Sequence, residues 1–173
     1  GMASAEQEHA ANRTMATLNA RAAELARGCG AACVTDVTGF GLLGHAVQLA
    51  RASGVGLEIG VEGVPLLGGA AAFAEQGLLS AATYSNRDYV GDEVRFEEDV
   101  APPLRDLLFD PQTSGGLLIS CPPSRAQALV ARAQEALSTP CGVVGRVVEI
   151  GKGPRIKVRR RAYEAAPEEI GTP

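Results

Sequence analysis

The chain has 173 residues, enough for one domain of ordinary size, with 46% hydrophobic residues and a formal net charge of −4. This composition predicts a globular protein with a real core and excludes global disorder. The acidic balance, without a basic stripe interleaved with aromatics, argues against nucleic-acid binding. No apolar run approaches the roughly 18 residues of a membrane span, and no signal peptide is recognisable, so we expect a cytoplasmic protein without a membrane partner.

The four cysteines predict neither a disulfide framework nor a zinc site. Cys29 and Cys33 are separated by three residues, but no second cysteine or histidine pair follows at the spacing that zinc requires. We interpret these two, together with Cys121 and Cys141, as reduced thiols that are mostly buried. A metal or redox role for the first two is the less favoured alternative.

Two helices and a strand are predicted in the first third of the chain. Apolar residues recur at spacings of three and four over residues 10–27, which predicts one amphipathic helix ended by Gly28. A short apolar strand follows at residues 31–34. A second helix then runs to about Ser53, with Gly54 as its stop. The residues expected on its buried face are Leu43, Ala46, Val47 and Ala50.

The middle of the chain has one clear strand and one unclear passage. Residues 55–61 alternate strictly between apolar residues and Gly or Glu, which predicts a strand buried on one face only. Pro65 and Gly68 precede a short alanine-rich helix that ends near Gln76. Residues 77–103 have only a weak pattern, so we predict a long irregular segment that is either functional or mobile.

The last third alternates between helices and strands again. We predict a helix at residues 104–109, a strand at 117–121, a helix from the N-cap Ser124 through Leu137, and strands at 143–150 and 155–158. No internal repeat accompanies this alternation. The expected fold class is therefore α/β or α+β, with helices packed on a sheet.

One segment that could hold a metal and a phosphate reads TDVTGFGLLGH and spans residues 35–45. Asp36 at a strand end could bind Mg²⁺ through a hard oxygen, and the following glycines expose N–H groups at a helix N-terminus, which suits a phosphate. The alternative is that Asp36 or Thr38 only caps the next helix. The glycines form no nucleotide-binding fingerprint. His45 is expected to pack rather than to approach an anion.

A second segment reads DPQTSGG and spans residues 110–116. An Asx-turn at Asp110, the fixed φ of Pro111 and two glycines that tolerate positive φ predict a tight turn. The side chains between them offer several donors in a row, which could hold an anion or dock a neighbouring domain. The structural interpretation is favoured.

These two segments resemble the signature stretches of the selenophosphate synthetases, also called selenide, water dikinases. The resemblance extends over nearly the whole chain and corresponds to that family's C-terminal half. Aminoimidazole ribonucleotide synthase, thiamine-monophosphate kinase and the hydrogenase-maturation dehydratase are less similar, because the DPQTSGG run favours the selenium branch. The fold that the resemblance implies is the C-terminal α/β (α+β) sandwich of these synthases, with helices packed on a mixed sheet.

The resemblance implies an enzyme that converts ATP, selenide and water into selenophosphate, AMP and phosphate, using Mg²⁺. By this similarity Asp36 corresponds to a magnesium ligand, and it is the only site residue carried over. The implied partner is a nucleotide-binding N-terminal domain or its homologue, and a homodimer is left open.

The chain also departs from the family. The reactive Cys or selenocysteine, the lysine and the other metal-binding aspartates belong to an N-terminal ATP-binding domain that we expect to be absent, with residues 2–160 as one C-terminal domain and 161–173 as a loose tail. Around residues 84–89 the usual glycines are missing, and only Asn86 and Arg87 remain. The alternative function is a stand-alone, non-catalytic binding or regulatory module of the same fold.

Overall fold

The computed structural model of the protein describes residues 1–163. The helices in this part are α1 (Ala5–Ala16), α2 (Ala20–Gly28), α3 (Gly41–Ser53), α4 (Ala70–Glu75), α5 (Ala81–Val90), α6 (Pro102–Leu107) and α7 (Pro123–Ala136). The strands are β1 (Cys33–Asp36), β2 (Gly56–Gly60), β3 (Val94–Phe96), β4 (Leu117–Ser120), β5 (Gly145–Val148) and β6 (Ile156–Arg159). Short 3-10 turns lie at Val61–Gly63 and Gly91–Glu93.

The strands form one mixed sheet and one two-stranded sheet. The mixed sheet has the order β3-β6-β2-β5, in which β6 runs parallel to β3 and β2, and β5 runs antiparallel to β2. In the smaller sheet β1 and β4 are antiparallel, with Asp36 opposite Leu117. This mixed sheet with packed helices confirms the predicted α/β (α+β) class.

Helix α3 lies at the centre of the core. The four residues expected on its buried face are fully buried, and Gly54 ends the helix in the left-handed conformation with φ 66°, as predicted. They pack in one cluster with apolar residues of the mixed sheet and of the segment around α6. The fully buried members outside α3 are Val100, Leu108, Phe109, Ile156 and Val158.

The single helix predicted over residues 10–27 is wrong, because the chain breaks into α1 and α2. Thr17 at the C-cap of α1 has extended backbone, and its hydroxyl donates to the Arg13 carbonyl, a local bond that competes with helix continuation. Leu18 in the break is 80% exposed, and α1 buries no residue. Apolar spacing therefore continues across a joint that it does not reveal.

Strand β2 is buried on both faces, which corrects the prediction of one buried face. Gly56 and Gly60 are themselves buried, and a Cβ at Gly60 would collide with the Arg161 carbonyl oxygen. The alternating pattern predicts that these glycines face solvent, but they allow neighbouring backbone to approach a central strand.

The irregular segment predicted at residues 77–103 is also wrong, since it contains α5 and β3. The buried residues of α5 are Thr83, Asn86 and Val90, which have helical spacing but are mostly polar. Ser80 caps the helix by accepting from the Ala82 amide. A helix that buries polar side chains lacks the apolar period on which the prediction depended.

The remaining elements agree with the predictions in type and order. The first strand lies two residues later than expected, and α7 begins at Pro123 with Pro122 at the N-cap, so Ser124 is not the cap. The predicted tail at 161–173 lies almost entirely outside the described residues.

Candidate functional site

Asp36 ends β1 and is exposed. Among the described residues no side chain forms a hydrogen bond or ion pair with its carboxylate, and it caps no helix: α3 begins five residues later, with Phe40 at the N-cap. The alternative in which Asp36 or Thr38 caps α3 is therefore wrong. A free carboxylate at a strand end is a suitable hard-oxygen ligand.

The turn that follows Asp36 is held by His45 of α3. The Thr38 amide donates to His45 Nε2 at 3.0 Å, and the Thr38 hydroxyl lies 3.2 Å from the same nitrogen. The imidazole is 8% exposed and packs edge-on against Phe40, with ring centroids 5.8 Å apart. This confirms the expectation that His45 packs, and its acceptor nitrogen is used within the turn.

The DPQTSGG segment lies against the same turn. The backbone N–H of Gln112 donates to the Thr38 carbonyl at 3.0 Å, and the backbone N–H of Val37 donates to the Gly116 carbonyl at 2.9 Å. A Cβ at Gly115 would collide with the Val37 carbonyl oxygen. The two signature segments thus form one unit, and Gly115 is required for close approach. Neither Gly115 nor Gly116 has positive φ, so that part of the prediction is wrong.

Asp110 is half-buried and held by side chains, in place of the predicted Asx-turn. Its carboxylate accepts from the Thr83 hydroxyl at 3.2 Å and from Gln112 Nε2 at 2.9 Å. Burial raises the pKa of the Asp110 carboxyl above its ordinary value, and these two hydrogen bonds oppose the rise. Gln112 is therefore engaged inside the loop, which supports the structural interpretation of this segment.

Two asparagines complete the unit, although no sequence motif predicts a site role for either. Asn86 of α5 donates from Nδ2 to the Gly39 carbonyl at 2.8 Å and to the Phe109 carbonyl at 2.9 Å. Asn19, at the N-cap of α2, donates to the Gly115 carbonyl at 3.0 Å. The signal available in the sequence was an Asn retained at position 86 inside a segment that otherwise departs from the family.

The residues that could hold Mg²⁺ form only part of a site. Asp36 fits as one ligand, but within residues 1–163 no three His, Cys, Asp or Glu side chains are grouped to bind a metal ion. The four cysteines are free thiols, of which Cys29 is buried and the others half-buried. No helix in the described part is both long and apolar enough to cross a membrane.

Comparison of the sequence with known proteins finds one family model that matches most of the chain. Residues 2–157 match the family model described as AIR synthase related protein, C-terminal domain. The chain belongs to this family. The two signature segments predict this C-terminal domain. The match therefore confirms the resemblance for the domain.

Several relatives carry the name selenide, water dikinase. The protein of Treponema denticola is 41% identical over 141 residues, which is 79% of this chain and 40% of the relative. The protein of Pelobacter propionicus is 43% identical over 150 residues, or 86% of this chain and 43% of the relative. The protein of Geobacter sp. is 41% identical over 152 residues, which is 87% of this chain and 43% of the relative. The chain spans about two fifths of the length of these relatives.

Proposed function

We propose that this chain is the C-terminal domain of a selenide, water dikinase, which forms selenophosphate, AMP and phosphate from ATP, selenide and water. The similarity to proteins of that name over about four fifths of the chain supports the proposal. In this assembly the chain contributes Asp36 to a magnesium site, and a nucleotide-binding domain contributes most of the ATP site. The isolated domain is expected to be inactive.

The observation that carries the proposal is the Asp36 carboxylate, which is exposed and has no partner among residues 1–163, at the end of β1 beside a turn fixed by a second signature segment. The backbone that carries this side chain is held by hydrogen bonds on either side of the turn, so the position from which the carboxylate reaches a ligand is fixed. Phosphoryl transfer depends mainly on positioning the reactants and on neutralising the negative charge of the phosphates. When bound, Mg²⁺ supplies the positive charge that neutralises it. Asp36 would hold the ion, while His45 and the 110–116 segment keep the turn in place.

The domain organisation and location belong to the same proposal. Residues 2–160 act as one domain that works with a nucleotide-binding domain, either covalently linked or associated. Free ATP and selenide are small polar substrates of the cytoplasm, so we place the assembly there.

The test is AMP formation from Mg-ATP and selenide under reducing conditions. This chain is assayed alone and mixed with the nucleotide-binding half of a related dikinase. Asp36→Asn keeps the shape of the side chain and removes its charge, and exposed Asp99→Asn is the matched control. We expect activity only in the mixture, and a loss of about a hundredfold or more for Asp36→Asn, since even outer-shell changes at metal sites cost 10–100-fold.

Two results would contradict the proposal. An inactive mixture whose two parts fold and associate would favour the non-catalytic binding module. An active mixture in which Asp36→Asn and Asp99→Asn behave alike would show that Asp36 is not a metal ligand.

A further inference from the structure

The side chain of Asn86 joins both signature segments to helix α5. It is 7% exposed, and its amide nitrogen donates at 2.8 Å to Gly39, in the turn after Asp36, and at 2.9 Å to Phe109, directly before Asp110. A primary amide nitrogen carries two hydrogens, so both donors of Asn86 are used. One side chain thereby fixes the separation of the two backbones.

Helix α5 uses one face for this purpose. Thr83, three residues before Asn86, is fully buried and donates to the Asp110 carboxylate at 3.2 Å. Residues three apart on a helix lie on the same face, so the two side chains contact the loops from one side. The face is polar because it donates to the Gly39 and Phe109 carbonyls and to the Asp110 carboxylate, which are partly or fully buried in these contacts.

The residue type at position 86 follows from this geometry. Both acceptors are backbone carbonyls, so the side chain between them must supply two donors from one point at short reach. An aspartate of the same shape would turn only acceptors toward the two carbonyls. A serine could satisfy one of them and leave the other unpaired.

We infer that Asn86 is a positioning residue for the metal ligand Asp36. This inference rests on the proposed function. Asp36 is joined through Val37 and Thr38 to Gly39, and the carbonyl of Gly39 is fixed by Asn86. Without this bond the turn loses its tie to α5 and is held by His45 and by its backbone bonds to Gln112 and Gly116, so the Asp36 carboxylate samples more positions. Weaker capture of Mg²⁺ follows, while the contacts to ATP made by another domain remain.

The experiment compares Asn86→Ala, Asn86→Asp and Asn86→Ser with Arg87→Ala. Arg87 is the next residue on α5, is exposed, and pairs with Asp106 at 3.0 Å; among the described residues, no hydrogen bond or ion pair joins it to either signature segment. Amide hydrogen exchange of this chain is measured at Val37, Gly41 and Gln112, whose N–H groups bond within the unit, and at Leu57 in the mixed sheet. AMP formation by the mixture with the nucleotide-binding half is then titrated with Mg²⁺.

We expect faster exchange at Val37, Gly41 and Gln112 but not at Leu57, together with a rise of about tenfold or more in the Mg²⁺ concentration for half-maximal rate. The KM for ATP and the rate at saturating Mg²⁺ should change much less, and Arg87→Ala should resemble the unchanged chain. Asn86→Ser, which keeps one donor, should fall between Ala and the unchanged chain, and it carries the test if the other variants do not fold.

Unchanged exchange at the three loop amides would overturn the inference. So would faster exchange with an unchanged Mg²⁺ dependence, because Asn86 would then be a structural residue only. If the unchanged mixture makes no AMP, the proposed function fails, and a positioning role for a metal ligand fails with it. Hydrogen exchange would still report whether Asn86 holds the two segments together.

Discussion

Two glycines with the same backbone conformation have different neighbours, and this makes them a matched pair. Gly41 has φ 67° and Gly54 has φ 66°. A Cβ at Gly41 would lie 2.6 Å from the Phe109 carbonyl carbon, whereas a Cβ at Gly54 would meet no atom of the described residues within 4 Å. Both substitutions strain the left-handed backbone, but only the first also pushes the two signature segments apart.

We predict that Gly41→Ala lowers the free energy of unfolding by about 3 kcal/mol, the sum of left-handed strain and overpacking. Gly54→Ala should cost only about 1 kcal/mol, since strain acts alone there. Urea unfolding of both variants measures the difference. Equal costs would mean that the segments can separate freely at Phe109.

The half-buried carboxyl of Asp110 predicts a pH dependence of stability. Burial raises its pKa above the ordinary 3.8, so between 3.8 and the raised value the folded state binds more protons than the unfolded state. The contribution of Asp110 to stability is therefore largest below 3.8 and decreases as the pH rises through this window.

Asp110→Asn cannot titrate and should escape this decrease. Relative to the unchanged chain, its free energy of unfolding should rise between about pH 3 and pH 7, apart from a constant offset from altered hydrogen bonds. Urea unfolding at several pH values gives this difference, in which the other carboxyls cancel. A difference that stays constant with pH would show that the hydrogen bonds from Thr83 and Gln112 fully offset burial.

At the scale of elements, the joint between α1 and α2 separates two leucines, seven residues apart, that one continuous helix would place on the same face. Leu25 of α2 is 3% exposed, and Leu18 in the joint is 80% exposed. We predict that Leu25→Ala lowers the free energy of unfolding by about 2–5 kcal/mol, because a cavity replaces a core side chain. Leu18→Ala should stay within about 0.5 kcal/mol. Thermal or urea unfolding checks the pair, and similar losses would support one buried helix.

The sequence indicated an element most clearly where apolar residues follow a regular period. The apolar period of α3 and its terminal Gly54 indicated both the element and its buried face. Helix α5 could not be predicted from an apolar period, because the polar residues Thr83 and Asn86 lie on its buried face. The alternating pattern of β2 indicated a strand. A glycine in that pattern does not reveal whether its face is exposed to solvent or covered by another backbone.

The candidate site divides in the same way. Asp36 could be proposed from its place after a strand, because a carboxylate there is a chemical signal in itself. The contacts that hold its turn join residues far apart in the chain, such as Asn86 with Gly39 and Gln112 with Thr38. Such pairs have no local pattern, so only the folded chain reveals them.

Across the whole molecule, the core lies on the mixed sheet and leaves the small sheet at its margin. Among the described residues, β1 and β4 contribute only the partly buried Leu118 to the core cluster, and Val34 of β1 is 42% exposed. Strands β2 and β6 supply several of its fully or nearly fully buried residues. Local opening should therefore separate β1 from β4 more easily than β2 from β6.

Native-state hydrogen exchange tests this ordering. The Leu57 amide of β2 donates to Arg155, and the Ala32 amide beside β1 donates to Ser120. We predict that Leu57 exchanges at least about tenfold more slowly than Ala32 after correction for intrinsic rates, which corresponds to roughly 1.4 kcal/mol of opening free energy. Equal protection would mean that both sheets open only with the whole molecule.

Within the described part of the chain, the strand order leaves β3 and β5 as the outermost strands of the mixed sheet. Each carries an exposed arginine, Arg95 in β3 and Arg146 in β5, and the latter reaches Glu58 on β2 at 2.7 Å. Two copies meeting edge to edge would bring bulky, charged side chains against each other. These arginines therefore disfavour the pairing of edge strands between copies that leads to aggregates.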